Sequence, residues 1–267
     1  MADDQKLLII GLGNMSGAML AGWLSAGMDP ACFAALGRRQ ITAPDGVQTF
    51  SDPARVSGHD AVMLGFKPQQ LGDVAPTLQG VTGEGVTVYS LLAGITLDQL
   101  KEAFPQAHAH VRVMPNLASR ISKSPVILAE SGLDEAGRET VFTLFDKLGV
   151  AVWLADETHY NLATALAGSG PGFVYRFIDA LSAAATELGL DRERAQNLAL
   201  TMVEGASALA AEAELSPSEL AERVASPGGM TREGLDVLDQ DAALQRLLAQ
   251  TLRATSDRGA ELATGSK

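Results

Sequence analysis

A glycine-rich loop within the first twenty residues limits this chain more than any other feature. Gly11-Leu12-Gly13-Asn14-Met15-Ser16-Gly17-Ala18 follows the apolar run Lys6–Gly11 and opens a helical pattern over Asn14–Ala26 that ends at Gly27. In such a loop the first glycine permits the tight turn and the second lets a pyrophosphate approach the backbone. The helix start then offers free N–H groups and a positive dipole end. Ser16 stands where G-x-G-x-x-G has its third glycine, with the small Gly17 and Ala18 beside it. A purely structural glycine turn is the alternative, but a position after a strand and before a helix is the context a dinucleotide site requires.

Further strand candidates are Cys32–Leu36, Asp60–Leu64, Gly85–Ser90, Ala109–Val113 and Val150–Leu154, with helical patterns between several of them. Thr96-Leu97-Asp98-Gln99 reads as a capping box opening one of these helices. Buried strands alternating with helices predict an α/β, Rossmann-type doubly wound sheet. Beyond about residue 156 the strand pattern stops. Helical periodicity covers Glu157–Gly189, interrupted at Gly168-Ser169-Gly170-Pro171-Gly172, then Arg192–Glu214. A helix opened by Ser216-Pro217-Ser218-Glu219 comes next, and another follows Ser226-Pro227-Gly228-Gly229. The chain therefore divides into a dinucleotide-binding domain, 1–156, and an all-helical domain, 157–267.

Charge and cysteine content exclude several functions. The formal net charge is −12, split as −5 over 1–156 and −7 over the remainder. Neither part offers the basic surface that nucleic-acid backbones demand. One cysteine, Cys32, rules out an intrachain disulfide or a cysteine metal cluster, and the four histidines (59, 108, 110, 159) show no ligand spacing, so no metal is expected. No apolar run approaches the roughly 20 residues of a spanning helix, and the start is acidic, so a soluble cytoplasmic protein without a membrane partner is expected.

Two local patterns bear on ligands. An NAD site usually carries an acid at the end of the second strand. Asp29 precedes that strand beside Pro30 and reads as a turn residue, whereas the strand's end shows Gly37-Arg38-Arg39. Paired guanidiniums suit a 2′-phosphate, favouring NADP(H) with NAD(H) as the alternative; a solvated surface pair is the other reading. In Ser226-Pro227-Gly228-Gly229-Met230-Thr231 the glycines bring bare N–H groups to a helix start, a ready carboxylate or phosphate site. Residue propensity favours Thr231 as the N-cap over Thr231 as a ligand contact.

Six motifs in order resemble the pyrroline-5-carboxylate reductase family almost end to end: I-I-G-L-G-N-M (9–15), G-F-K-P-Q (65–69), S-L-L-A-G-I (90–95), R-V-M-P-N (112–116), A-L-A-G-S-G-P-G-F-V (165–174) and S-P-G-G-M-T (226–231). The resemblance implies NADPH-dependent reduction of 1-pyrroline-5-carboxylate to L-proline, with the helical domains of two subunits interlocked as a homodimer and, in some members, dimers gathered into decamers. It implies that Gly11, Gly13, Asn14 and Met15 hold the pyrophosphate and that Arg38 and Arg39 meet the 2′-phosphate. Lys67, Pro68, Ala93, Gly94 and Asn116 would line the adenosine–ribose–nicotinamide path, Asn116 also reaching the substrate. Ser226, Gly228 and Gly229 would bind the substrate carboxylate, and Thr231 the ring nitrogen, as the catalytic contact.

The chain departs from the family after Asn116. Where members continue T-P-A-L-V-G-x-G, it reads Leu117-Ala118-Ser119-Arg120-Ile121-Ser122-Lys123-Ser124. The lost Thr-Pro and the two new cations read as drift in a divergent homologue or as a changed role, with two alternatives: a homologue that reduces another cyclic imine acid, or a non-catalytic dinucleotide-binding regulator.

Overall fold

The computed structural model describes residues 5–37 and 41–263; Arg38 and Arg39 lie outside the described residues. Two compact units are present, one running through Ser169 and resuming at Thr255, the other spanning Gly170–Ala254.

The first unit carries eight strands: β1 (Leu7–Ile10), β2 (Phe33–Leu36), β3 (Gln48–Phe50), β4 (Ala61–Leu64), β5 (Thr87–Ser90), β6 (Ala109–Met114), β7 (Ser124–Ser131) and β8 (Gly149–Trp153). Their order is β3-β2-β1-β4-β5-β6-β7-β8, and every neighbouring pair is parallel except β6 with β7. The sheet is thus the doubly wound one that alternating strands and helices imply, with one antiparallel pair. That exception has a simple cause: the connection 115–123 is shorter than the dozen or so residues a parallel crossover takes. Strands β3 and β7 escaped the sequence reading. The first has three residues, largely exposed; the second hides its apolar centre between Ser124-Pro125 and Glu130-Ser131.

Helices cover both faces. On one, α1 (Asn14–Ser25) and α4 (Glu135–Asp146) bury Met19, Leu20, Trp23, Val141, Leu144 and Phe145 against β1, β4, β6 and β7. Trp23 stacks on Phe33 at 5.5 Å and donates its indole N–H to Leu144 O at 2.8 Å, so its polar edge is satisfied inside the core. On the other face α2 (Leu71–Leu78) and α3 (Leu97–Ala103) bury Val74, Ala75, Leu78 and Leu100. The capping box at the start of α3 is present: Thr96 Oγ1 accepts the Gln99 N–H at 3.3 Å, and Gln99 Oε1 accepts the Thr96 N–H at 2.9 Å. Asp29 does serve a turn, accepting the Ala31 N–H at 2.9 Å.

The first unit continues past residue 156. Helix α5 (Tyr160–Ala163) packs Tyr160 into a third apolar cluster with Leu97, Ile127 and Ala129. The end of α10 (Ala243–Ala263) returns there, Gly259 lying against Asn161.

The second unit holds α6 (Gly170–Glu187), α7 (Arg192–Glu212), α8 (Pro217–Val224), α9 (Met230–Asp239) and the first part of α10. The Ser216 capping box is present, with the Ser216 N–H given to Glu219 at 2.8 Å. Among its described residues only Ser182, Ala195, Ala199 and Ala225 are buried, while Leu188 is 89 % and Met230 94 % exposed. A unit whose buried apolar side chains are all alanines lacks a core of its own, and its leucine-rich helix faces need a partner surface.

His110 provides a test of the first unit's core. Its ring nitrogen donates to Phe104 O at 3.0 Å, and burial lowers its pKa from 6.5. The unfolded chain therefore takes up a proton near pH 6.5 while the folded chain resists it, so stability is full above that pH and falls below it. The melting temperature is expected to drop between pH 7.5 and 5.5, and His110→Gln is expected to flatten that drop relative to wild type.

Candidate functional site

The sheet's strand order reverses between β1 and β4, and ligands of open α/β sheets bind outside the carboxyl ends of the strands at such a reversal. The glycine loop lies there. Gly11 donates its N–H to Leu36 O and Gly65 donates to Ile10 O, both at 2.8 Å, which joins the ends of β2, β1 and β4. Gly11 adopts φ +86°, open to glycine at little cost. A Cβ on Gly65 would lie 2.1 Å from Ser16 Oγ and 2.6 Å from Gly11 O, so this crossing admits no side chain.

Gly13 is the N-cap of α1, with no side-chain cap, and the helix's hydrogen bonding begins with Gly17 N–H to Gly13 O at 2.8 Å. The N–H groups of Asn14, Met15 and Ser16 come before that first bond, which makes them an anion cradle. Beneath them Ser16 is 1 % exposed, and its hydroxyl has no hydrogen-bond partner among the described residues. A buried hydroxyl left in this way is completed by an arriving oxygen or a bridging water. Beside the loop is a cleft of about 380 Å³ whose lining includes Gly11, Leu36, Gly37, Ser51, Phe66 and Gln70. Bare helix N–H groups, an orphaned hydroxyl and an adjoining apolar cleft fit the diphosphate and adenosine of a dinucleotide. Lys67 and Pro68 follow β4 in a turn closed by Gln70, which accepts the Lys67 N–H at 3.2 Å. Ala93 and Gly94 occupy the turn after β5.

Asn116 follows β6 and is 5 % exposed. Its Oδ1 accepts the Ala118 N–H at 2.8 Å and its Nδ2 donates to Ala167 O at 3.0 Å. Ala167 lies in a π turn, Thr164–Gly168, and four residues later comes Pro171, which has no N–H to give it. The Asn116 amide supplies the missing donor. Each end makes one backbone bond, which fixes the orientation of the amide and leaves its second N–H and its second oxygen lone pair for a ligand.

The divergent segment after Asn116 forms a 3₁₀ turn, Leu117–Ile121, anchored by the fully buried Ser119. Ser119 O approaches α1 so closely that a Cβ on Gly22 would lie 2.1 Å away. Arg120 and Lys123 are exposed on this turn.

Arg112 of β6 is buried. Its guanidinium sits 3.7 Å above the Tyr160 ring and bonds Glu157 Oε1 at 2.8 Å. The same oxygen accepts the Leu97 N–H at 2.9 Å. Burial, offset in part by the nearby Arg112 charge, pushes the Tyr160 phenol well above its ordinary pKa, so it stays neutral.

In the second unit Ser226, Gly228, Gly229 and Thr231 come together at the start of α9. Gly228 has φ +68°, and Gly229 donates to Ser226 O at 2.9 Å. The N-cap is Gly229, so the expectation that Thr231 caps the helix is corrected. Two glycines carry the chain into helical geometry before Thr231, which occupies the second helical position. Its side chain is exposed, and no hydrogen bond ties it to another described residue. Arg232 beside it pairs with Glu222 of α8. Ser16 is read from the sequence only as the small residue in place of the third glycine, and its buried hydroxyl is new; Gly65, Phe66, Gln70 and the double use of Glu157 carry no role in the sequence reading, and for the first three adjacency to the end of β4 is the available signal.

Residues 157–262 match the family described as pyrroline-5-carboxylate reductase dimerisation. The chain is 31 % identical over 265 residues to pyrroline-5-carboxylate reductase of Pseudomonas aeruginosa, covering 97 % of each. It resembles the solved pyrroline-5-carboxylate reductase of Coxiella burnetii with a TM-score of 0.88 at 29 % identity, covering 97 % of this chain and 99 % of that one. It shares its fold with the Plasmodium falciparum pyrroline carboxylate reductase solved with NADP bound, with a TM-score of 0.85 at 23 % identity over 98 % of this chain and 99 % of that one. Together with the glycine loop at the β1/β4 reversal and the glycine-led start of α9, these similarities make the chain a member of the pyrroline-5-carboxylate reductase family.

Proposed function

We propose that this protein reduces 1-pyrroline-5-carboxylate to L-proline with NADPH. The observation that carries the reading is the match of about 30 % identity over nearly the whole chain to enzymes of that name. When bound, the nicotinamide supplies a hydride to the imine carbon of the ring. Gly11 and Gly13 keep the backbone open to the diphosphate, and the Asn14 and Met15 N–H groups at the α1 start bind it. Arg38 and Arg39 pair with the 2′-phosphate, each through a planar fork of donors. Lys67, Pro68, Ala93, Gly94 and the Asn116 region border the rest of the cofactor path.

The helical region 157–267 serves as substrate-binding and dimerisation domain. Ser226, Gly228 and Gly229 turn N–H groups and a hydroxyl toward the substrate carboxylate, holding the anion without offering a nucleophile. Thr231 hydrogen-bonds the ring nitrogen as that nitrogen gains or keeps its proton. Fixing two rings face to face provides much of the rate in such a reaction, so no histidine or carboxylate pair is required. The exposed leucine faces of α6–α10 favour a homodimer through this region, with a further gathering of dimers as an extension. No helix among the described residues is long and apolar enough to cross a membrane, which accords with a cytoplasmic enzyme.

Thr231→Ala separates ligand contact from helix stability. Because Gly229 is the cap, the variant is expected to keep its unfolding free energy within about 0.5 kcal/mol of wild type, since only an exposed side chain is changed. Its kcat/KM is expected to fall about tenfold, the worth of one hydrogen bond. Unchanged activity would remove Thr231 from the site.

The reading as a whole is tested by NADPH oxidation with pyrroline-5-carboxylate, with NADH in parallel. Turnover is expected, with NADPH preferred. Cofactor binding without turnover would direct the assay to larger anionic cyclic imine acids, for which the exposed Arg120 and Lys123 are suited. Failure to bind any nicotinamide cofactor would contradict the reading.

A further inference from the structure

We propose that Glu157 is a positioning residue for hydride transfer: one carboxylate oxygen fixes the loop 91–96 where it enters α3 and pairs with Arg112 beside the point where the loop leaves β5. At the entry to α3 it accepts the Leu97 N–H directly, at 2.9 Å. At the exit from β5 it acts through Arg112, 2.8 Å away, because Arg112 is the β6 residue paired in register with Ser90, where that loop leaves the sheet.

The alternatives to Glu157 are already committed. The Thr96 hydroxyl is occupied by the Gln99 N–H within the capping box, so the first N–H of α3 needs an acceptor from elsewhere in the chain. Arg112 is held flat against the Tyr160 ring with its side chain 5 % exposed, so it cannot swing away, whereas the Glu157 side chain remains 31 % exposed. Asp156 caps the turn that presents Glu157, accepting the Thr158 N–H at 2.8 Å. Within the loop, Leu91 N–H to Leu64 O (3.1 Å) ties the start to the end of β4, whereas Ile95 N–H to Leu92 O (3.2 Å) and Leu92 N–H to Ser90 Oγ (3.2 Å) are local bonds. Glu157 places the other end, at the entry to α3.

The inference rests on the reading that Ala93 and Gly94 border the nicotinamide. Displacing them would misalign the reacting carbons, and a misplacement of about 1 Å can cost on the order of 100-fold in rate. The role is positioning, since Glu157 spends its oxygen on the protein.

Three variants test it: Glu157→Asp keeps the charge but draws the shared oxygen back by one methylene from both Leu97 and Arg112, Glu157→Gln keeps an acceptor of the right reach without the charge, and Glu157→Ala removes both. Kinetics are measured below each variant's melting temperature and expressed per folded molecule. Glu157→Asp and Glu157→Ala are expected to lose about tenfold or more in kcat while KM for pyrroline-5-carboxylate moves less than about threefold. Glu157→Gln is expected to retain most of kcat even if its melting temperature falls, because Arg112 keeps its hydrogen bond. Wild-type kcat in Glu157→Asp, or activity that follows melting temperature across the series, would overturn the inference. Should Glu157→Ala not fold, the Asp and Gln pair carries the comparison. Wild-type turnover is the control for the function itself. Were it absent, that reading would fail separately, and the inference would be judged by NADPH affinity, expected to be at least about threefold weaker in Glu157→Asp and contradicted by equal affinity.

Discussion

The crossing of β1, β4 and α1 sets the terms for everything else in the first unit. Gly11 and Gly65 are bonded to neighbouring strand ends, and Ser16 fills the space that a side chain at 65 would occupy. This close approach brings the first N–H groups of α1 over the gap where the strand order reverses. It also fixes the line of α1, which sends Trp23 between Phe33 and Phe145 and brings Gly22 against Ser119 O. The anion cradle, the aromatic core and the seat of the 117–121 turn are consequences of one tight crossing.

A second set of interactions organises the far side of the sheet. Glu157 ties Arg112 to the start of α3, and Asn116 ties the end of β6 to the Ala167 carbonyl. Each answers a local backbone deficiency: an uncapped N–H at Leu97, and a carbonyl facing a proline where an N–H would otherwise be. A buried arginine is costly to leave unpaired, on the order of 3–5 kcal/mol when its partner is removed, so this network is hard to alter in parts. It also explains why the first unit runs beyond residue 156, since Glu157, Tyr160 and Ala167 complete its packing and hydrogen bonding.

Much of this was legible in the amino-acid sequence because the physics is local. The glycine loop, the capping boxes at Thr96 and Ser216, the Asp29 turn and the long helical periodicity after residue 156 each need only a few adjacent residues. What stayed hidden depends on residues far apart in the chain. Strand β7 is polar at both ends and takes its place by pairing with β6. Thr231 looks like a cap until Gly229 is seen to fill that position. The bonds that orient the Asn116 amide reach Ala118 and, 51 residues on, Ala167. The divergent Leu117–Ser124 segment suggests altered chemistry on paper, yet its first turn is anchored by Ser119 beneath α1.

The proposed site lays a dinucleotide across the β1/β4 reversal, with its diphosphate on the start of α1. Amide hydrogen exchange with and without NADPH tests this most directly, because protection maps the bound backbone segment by segment. The account predicts protection concentrated in residues 11–17 and in the turn after β4, 65–70. Protection confined to other segments, or none at saturating NADPH, would contradict it.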